Sequence, residues 1–397
     1  MDKRVYLLTI VAFIVGMVEL IIGGILDLVA HDLGISIGQA GLLITYFSLV
    51  FAVAAPILLL LTARVERTRL TIVTLGVFFI SNLIAILGQS YAALILARIV
   101  SAASSSLLVV LCITLASNIV DEEYRGRAIG LVIMGISGSI VLGVPFGVLL
   151  GHNFGWRAPF VFIALLTVVL AVVVFLFMGQ VAPKPVVPLR EQLATLKNRK
   201  ILFAQLTTFF FLAGHFTLYG YLTPFAIATM DLDGIWLSIV YFLFGLAAVS
   251  GGGIAGFSAD RFGIRRTLLS ITILFSICLF LMPYVTLSLP LFLGVVMVWG
   301  VLSWGITPPV QSYLIQVSPE TSDIQQSLNN SALHFGIAFG TFVGSFVVEQ
   351  ASVQHNATVG GLFIILSILT ATLALRSGKE RKAFSPAGRM RSPKPRQ

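Results

Sequence analysis

Charge is what this sequence lacks most. Asp, Glu, Lys and Arg make up 10% of its 397 residues, and 58% are apolar. A soluble domain carries about 25% charged residues. Too few polar side chains remain to coat a water-facing surface, and the mean hydropathy of +1.02 says the same. Cysteine is nearly absent. Cys112 and Cys278 both lie inside apolar runs, which excludes a disulfide framework or a metal cluster and reads as packing. No G-x-x-x-x-G-K-[ST] loop is present, and no stretch is long enough for a soluble ATPase domain. No nucleophile–base pair suggests an enzyme. Energy for any work must come from an ion gradient or from a partner.

What is present is apolar length. Runs fall at about 5–29, 36–62, 70–89, 91–119, 127–151, 158–179, 201–229, 235–258, 267–287, 289–316, 325–349 and 358–376. A spanning helix needs roughly 20 apolar residues, so twelve spans nearly fill the chain. The first run opens like a signal peptide, with Lys3 and Arg4 ahead of it. It continues through Glu19 to about Leu28 without a small-x-small cleavage site, so it reads as an uncleaved first helix.

The net charge of +9 invites a nucleic-acid reading, but placement argues otherwise. All Lys and Arg except Arg98 and Arg157 fall in the N-terminus, the even-numbered loops and the tail. Positive loops mark the cytoplasmic side. The expectation is a multi-pass cell-membrane protein with both termini cytoplasmic, partnered by lipid and a small-molecule substrate, with no nucleic acid, and functional as a monomer. Residues 180–200, with Pro183, Pro185 and Pro188, form a cytoplasmic central loop between six-helix bundles at 1–179 and 201–376. The tail, 377–397, is basic and suits anionic lipid. The loop after run two (Thr62–Arg69) is echoed after run eight (Ala259–Arg266), half a chain later. That weak repeat points to duplicated halves, an arrangement typical of transporters.

At these residues a family becomes recognisable. Gly256 to Arg266 resembles the loop motif of the major facilitator superfamily. Arg98 matches that family's embedded arginine, Gly143-Val144-Pro145-Phe146-Gly147 resembles the motif of its exporters, and Gly155-Trp156-Arg157 is similar to drug:proton antiporters. Val18-Glu19-Leu20 with Gly23-Gly24, Ala213 to Tyr219, and Ser322 to Ser327 resemble the purine-base efflux pumps of Gram-positive bacteria. The resemblance implies an all-α membrane protein, twelve helices in two pseudo-symmetric six-helix bundles. It also implies export coupled to protons, with no other cofactor. There are departures. Ala63 and Glu66 stand where the family has Asp and Gly, so either Glu66 replaces the missing acid or that half of the gate is weaker. Asp27 stands where relatives often have Pro, and Ser101, Ala102 and Ser104–Ser106 where many have Gln and Gly.

Glu19 lies mid-membrane, where a charged side chain costs at least ~2.5–3.5 kcal/mol and usually has a function. It is the expected proton carrier; the alternative is a structural acid. Arg98 keeps its proton and needs an acceptor: Glu19, Asp27 or backbone carbonyls. It either senses Glu19 or clamps helices. Asp27 sits ~80° around and about 12 Å along from Glu19, a second proton station or a solvated helix end. His215, Tyr219 and Tyr221 are expected to line a cavity for a flat solute, with His334 and Asn330 as weaker candidates. Asp260, Arg261, Gly263, Arg265 and Arg266, with Arg64 and Glu66, form an expected cytoplasmic gate. Gly135, Ser139, Gly143, Gly147 and Gly151 make a small-residue stripe, with Gly252 and Gly256 expected across the bundle interface. Pro145 is expected to bend its helix, and Pro308-Pro309 to break or kink theirs. The favoured substrate is a purine base or nucleoside. Lipophilic drugs and sugars are alternatives, and a receptor that binds without flux is the competing class.

Overall fold

The computed structural model describes residues 2–182 and 189–376. Pro183, Lys184, Pro185 and Pro188 of the central loop and the whole 377–397 tail lie outside the described residues. The described chain is helical throughout, and twelve helices are long and apolar enough to span a membrane. They are α1 (Lys3–Gly24), α2 (Ile37–Leu61), α3 (Arg67–Leu87), α4 (Tyr91–Asn118), α5 (Glu122–Phe154), α6 (Ala158–Phe177), α7 (Arg199–Tyr219), α8 (Gly234–Phe262), α9 (Ile264–Val285), α10 (Leu289–Val317), α11 (Pro319–Gln350) and α12 (His355–Arg376). They form two six-helix bundles. For description, the side where the chain begins is the basic face and the other the far face.

Local chemistry sets the ends. Ser36 and Gln39 make a reciprocal capping box at the start of α2, satisfying two otherwise orphaned N–H groups. Glu66 caps α3, its carboxylate accepting from the N–H of Thr68 (2.8 Å) and Arg69 (2.6 Å). It also accepts from the N–H of Val181 at 2.6 Å, while Arg67 N–H donates back to the Val181 carbonyl at 2.9 Å. Burial opposes the charge on Glu66, but the Val181, Arg69 and Thr68 N–H groups outweigh it and hold the carboxyl below its usual range. So Glu66 is an acid with a structural post. It ties the entry of α3 to the exit of α6.

Four helices are interrupted, in three ways. In α5 one turn of π geometry, Ser139–Gly143, precedes Pro145, whose missing N–H disturbs the ladder there. In α10 the break falls at Ile306, ahead of Pro308-Pro309. The third pattern is shared. α1 stops at Ile25 (φ −125°, ψ 21°) and α7 at Tyr221 (φ −121°, ψ 20°), and each continues as a short helix, Leu26–Leu33 and Leu222–Met230. Glu19 and His215 each lie six residues before their break, so the two bundles place them at equivalent depths. Gly23 and Gly220 meet at these breaks.

The bundles touch along two seams. Along α2–α11, Gly38 N–H donates to Glu349 Oε1 (3.0 Å), Thr45 and Thr341 hydroxyls meet at 2.8 Å, and Ser331 donates to the Ala52 carbonyl at 3.0 Å. Beyond Ala52, towards the basic face, Ile57 and Leu61 are exposed. Along α5–α8, Gly234 packs on His152, and Gly245 on the backbone of Ile140 and Val141 in the π turn. Past that point a side chain at Gly252, Gly253 or Gly256 would meet nothing within 4 Å. The molecule is therefore sealed on the far face and splayed on the basic face.

The glycine stripe does admit a close helix, but one of its own bundle. Gly135 packs on Thr9, Gly143 on Phe13 and Met17, Gly147 on Met17 and Ile21, and Gly151 on Ile25. All four face α1 of the same bundle. The stripe fixes α5 to α1, and the surface that meets the other bundle is the π turn against Gly245. Gly252 and Gly256 do not oppose it.

Candidate functional site

Where the seams end, a narrow cavity of about 70 Å³ opens between the bundles, lined by Glu19 and Leu20 of α1, Ile140 of α5, and His215, Phe216 and Tyr219 of α7. Phe244 of α8 and Trp304 and Thr307 of α10 close the other side. Larger voids lie elsewhere, one of them a mostly apolar hollow around Leu49, Phe209 and Phe339. The narrow cavity is the one that carries charge, aromatic faces and both bundles together.

Its wall is an aromatic box. The His215 ring stacks on Tyr219 (5.0 Å between centroids, 29°) and runs nearly parallel to Phe244 (5.9 Å, 9°). Trp299 stands edge-on to His215 at 5.3 Å and to Phe244 at 5.1 Å. His215 Nδ1 and Trp299 Nε1 are buried and have no hydrogen-bond partner among the described residues. Buried polar nitrogens are rarely left unpaired; of these two, the one on His215 belongs to a ring that lines the cavity, while Trp299 lies fully buried behind it. Of the rings at the cavity, His215 and Tyr219 were expected from the sequence; Phe244 and Trp304, from α8 and α10, have no local signal.

Tyr221 is not in this box. Six helical steps from His215 turn it to another side, and its hydroxyl donates to the Thr341 carbonyl at 2.8 Å, against Gly41 of α2. It belongs to the far-face seal. Asn330 is exposed and does not line the cavity. Its neighbour Asn329 is buried and donates to Gln205 and Thr208, both at 2.8 Å.

Arg98 is 1% exposed. Its guanidinium donates to the carbonyls of Val18 (2.8 Å), Glu19 (3.3 Å) and Leu43 (3.4 Å), and Phe47 lies under it at 4.1 Å. Of the three candidate acceptors, backbone carbonyls are the ones it takes. It binds α1, α2 and α4 together and leaves the Glu19 carboxylate without a donor from it. That carboxylate instead faces His334 of α11, Oε1 to Nδ1 at 3.7 Å. The His334 ring stacks on Phe51 of α2 at 3.9 Å. Asp27 is not beside Glu19. It is half-buried past the Ile25 break, with Oδ1 unpartnered, on the far-face side of the cavity.

At the basic face, Asp260, Arg261, Arg265, Arg266 and Arg64 are exposed. Among the described residues none of them makes an ion pair within 4 Å. Gly263 does turn the chain, with φ 87°, a value that a side chain strains. At the far face a hydrogen-bonded cluster within the first bundle gives the Gly155-Trp156-Arg157 motif its partner. Asp32 accepts from Trp156 Nε1 (2.9 Å) and Arg157 (2.7 Å), and Arg157 reaches the Gly88 carbonyl at 3.0 Å. The Trp156 and Arg157 bonds hold the Asp32 carboxyl below its usual range. Among the described residues no group of three His, Cys, Asp or Glu side chains forms a metal site.

The family model described as Major Facilitator Superfamily matches residues 8–341. An uncharacterized MFS-type transporter of Bacillus subtilis (strain 168), YbcL, is 37% identical, over 94% of this chain and 96% of that one. A probable sugar efflux transporter of Pasteurella multocida (strain Pm70) is 26% identical, over 92% and 90%. A solved bacterial homologue of the human lysosomal transporter Spinster, inward-facing and occupied, superposes with a TM-score of 0.78 at 16% identity, covering 95% of this chain and 97% of that one. That likeness establishes the fold.

Proposed function

This chain belongs to the major facilitator superfamily, whose members are transporters and not enzymes, and we propose that it exports a small flat heterocycle, a purine base or nucleoside, in exchange for protons. The basic face is then cytoplasmic, the membrane is the cell membrane, the unit is a single chain, and the state described is open to the cytoplasm. One observation carries the reading. The rings of His215, Tyr219 and Phe244, backed by the buried Trp299 and with one unpartnered nitrogen on His215, line the cavity beside the Glu19 carboxylate. Aromatic faces in stacking range suit a planar ring, each well-placed pair contributing about 0.5–1.5 kcal/mol beyond buried area. The unpartnered His215 nitrogen suits a solute edge that can pair with an imidazole. Protonation of Glu19 favours one access state and substrate binding favours deprotonation, and this linkage is reciprocal.

A second reading is sugar efflux, supported by the name of the Pasteurella relative. The box argues against it. Its polar lining amounts to Ser303 and Thr307 beside Glu19 and the aromatic edges, few partners for a polyhydroxyl solute.

Radiolabelled hypoxanthine uptake into everted membrane vesicles, with and without a protonophore, tests the proposal. Everted vesicles expose the cytoplasmic face, so an exporter fills them. Uptake by the wild type that collapses with the protonophore, and in Glu19→Gln, supports both parts. Absence of hypoxanthine uptake alongside protonophore-sensitive uptake of a labelled sugar would transfer the assignment to the second reading.

A further inference from the structure

Glu19 and His334 come from different bundles, and they are the one pair of oppositely ionising side chains, among the described residues, that faces across the interface within 4 Å. Both are largely shielded, with side-chain exposures of 17% and 5%. His334 Nδ1 has no hydrogen-bond partner. The Glu19 carboxylate receives no hydrogen bond from Arg98, whose three hydrogen bonds go to carbonyls. A carboxylate with no donor thus confronts an imidazole nitrogen with no acceptor, slightly too far apart for a hydrogen bond.

The place of the pair in the seam matters as much as its chemistry. The α2–α11 seam runs from Gly38–Glu349 at the far face through Thr45–Thr341 to the Phe51–His334 stack. It ends a turn later at Ala52–Ser331. His334 sits where the bundles begin to part.

We propose that His334 is a positioning residue for proton coupling: it shares a single proton with Glu19 across the bundle interface and so ties the far-face seal to the protonation of Glu19. The inference rests on the proton-exchange reading above. With one proton between Oε1 and Nδ1 the two groups form a charge-assisted bond, which holds α1 against α11 and favours the sealed far face. When that proton leaves through the open basic face, two lone pairs confront each other and the contact is lost. The seam is then free to part from its far end. Other titratable or charged groups near the pair are few. Arg98 on α4 is fixed to the carbonyls of Val18 and Glu19, and His215 on α7 lines the same cavity as Glu19. The residue that α2 presents to His334 is Phe51, and the cavity residues from α5, α8 and α10 carry no titratable side chain.

Spin labels at Leu61→Cys and Gln326→Cys, both exposed on the basic-face ends of α2 and α11, report the opening by pulsed electron resonance in lipid nanodiscs. The native cysteines are buried and remain. Between about pH 8.5 and about pH 5.5, a span that covers histidine titration, the longer-distance population is expected to grow by roughly twofold or more. In His334→Phe, which keeps a ring on Phe51, and in His334→Gln, which keeps a polar group, that response is expected to vanish, as it is in Glu19→Gln. A response in His334→Phe and His334→Gln equal to the parent's overturns the proposal, as does a parent with no response. Protonophore-sensitive uptake by the parent, measured alongside, separates the two failures. With it present and no pH response, only the pairing falls; with it absent, the proton reading falls first.

Discussion

Glu349 at the end of α11 accepts a hydrogen bond from the backbone N–H of Gly38 at the start of α2, 3.0 Å away in the other bundle. The acceptor is a carboxylate and the donor is a first-turn N–H with no partner in its own helix, so charge and helix dipole agree. Because Glu349 is exposed, the contact contributes at the low end for such bonds, about 1 kcal/mol. Removing it by Glu349→Ala is expected to raise far-face opening about fivefold. The check is the labelling rate of a cysteine at Thr45, deeper in the same seam, by an impermeant reagent applied from the far side.

Arg98→Lys tests the carbonyl cage. A lysine keeps the charge but offers a compact ammonium in place of a planar fork, and it cannot reach the carbonyls of Val18, Glu19 and Leu43 at once. Loss of buried charge-assisted bonds is expected to cost on the order of 3 kcal/mol. Thermal unfolding in detergent should show a clear drop in melting temperature, whatever the transport activity.

Two glycines separate close packing from open space. At Gly340 an added methyl would run into the Ala213 carbonyl of α7, a backbone atom with no room to yield. At Gly252 it would meet nothing within 4 Å. Gly340→Ala should lower the melting temperature and the yield of folded protein. Gly252→Ala should be neutral or stabilising by up to ~1 kcal/mol, the ordinary gain of alanine in a helix.

Glu66 gives a pH dependence with a definite sign. Its carboxyl is held below the ordinary value of 4.5. The stability it contributes is complete above that ordinary value and lost as pH falls through the lower folded value. Glu66→Gln should therefore be less stable than wild type at neutral pH. The gap between their melting temperatures should narrow and close as the pH is taken below 4.5. A gap that persists unchanged in acid would show that the carboxylate's charge is not what the cap uses.

Much of the scaffold was legible because it is written in local composition. Twelve apolar runs, the Gly263 turn and the Pro308-Pro309 break each follow from a few adjacent residues. Tyr221 is separable from the box by helical spacing alone. Tyr219 is one turn from His215 and shares its side, whereas six steps place Tyr221 elsewhere. The stripe on α5 shows a real limit: spacing says that something packs closely but not which helix does. A stripe of the same period, Gly336, Gly340 and Gly344 on α11, went unread, and it seats that helix on α7. The acceptors of Arg98 were invisible for another reason, since every residue has a carbonyl. The approach of His334 to Glu19 joins segments more than three hundred residues apart, and no pattern in either one announces the other.

The carbonyl cage around Arg98 has an electrostatic consequence for what the protein admits. Carbonyl dipoles solvate a cation but do not cancel its charge. With Glu19 ionised the neighbourhood is neutral overall; with Glu19 protonated it carries one uncompensated positive charge. In a medium of low polarity such a charge acts over several ångströms. A solute with a permanent cationic group meets repulsion in one of the two states, whichever way the cycle turns. A neutral ring, or one able to give up a proton, meets none; on the proposed proton-exchange cycle the fixed arginine is then a filter on charge as well as a clamp.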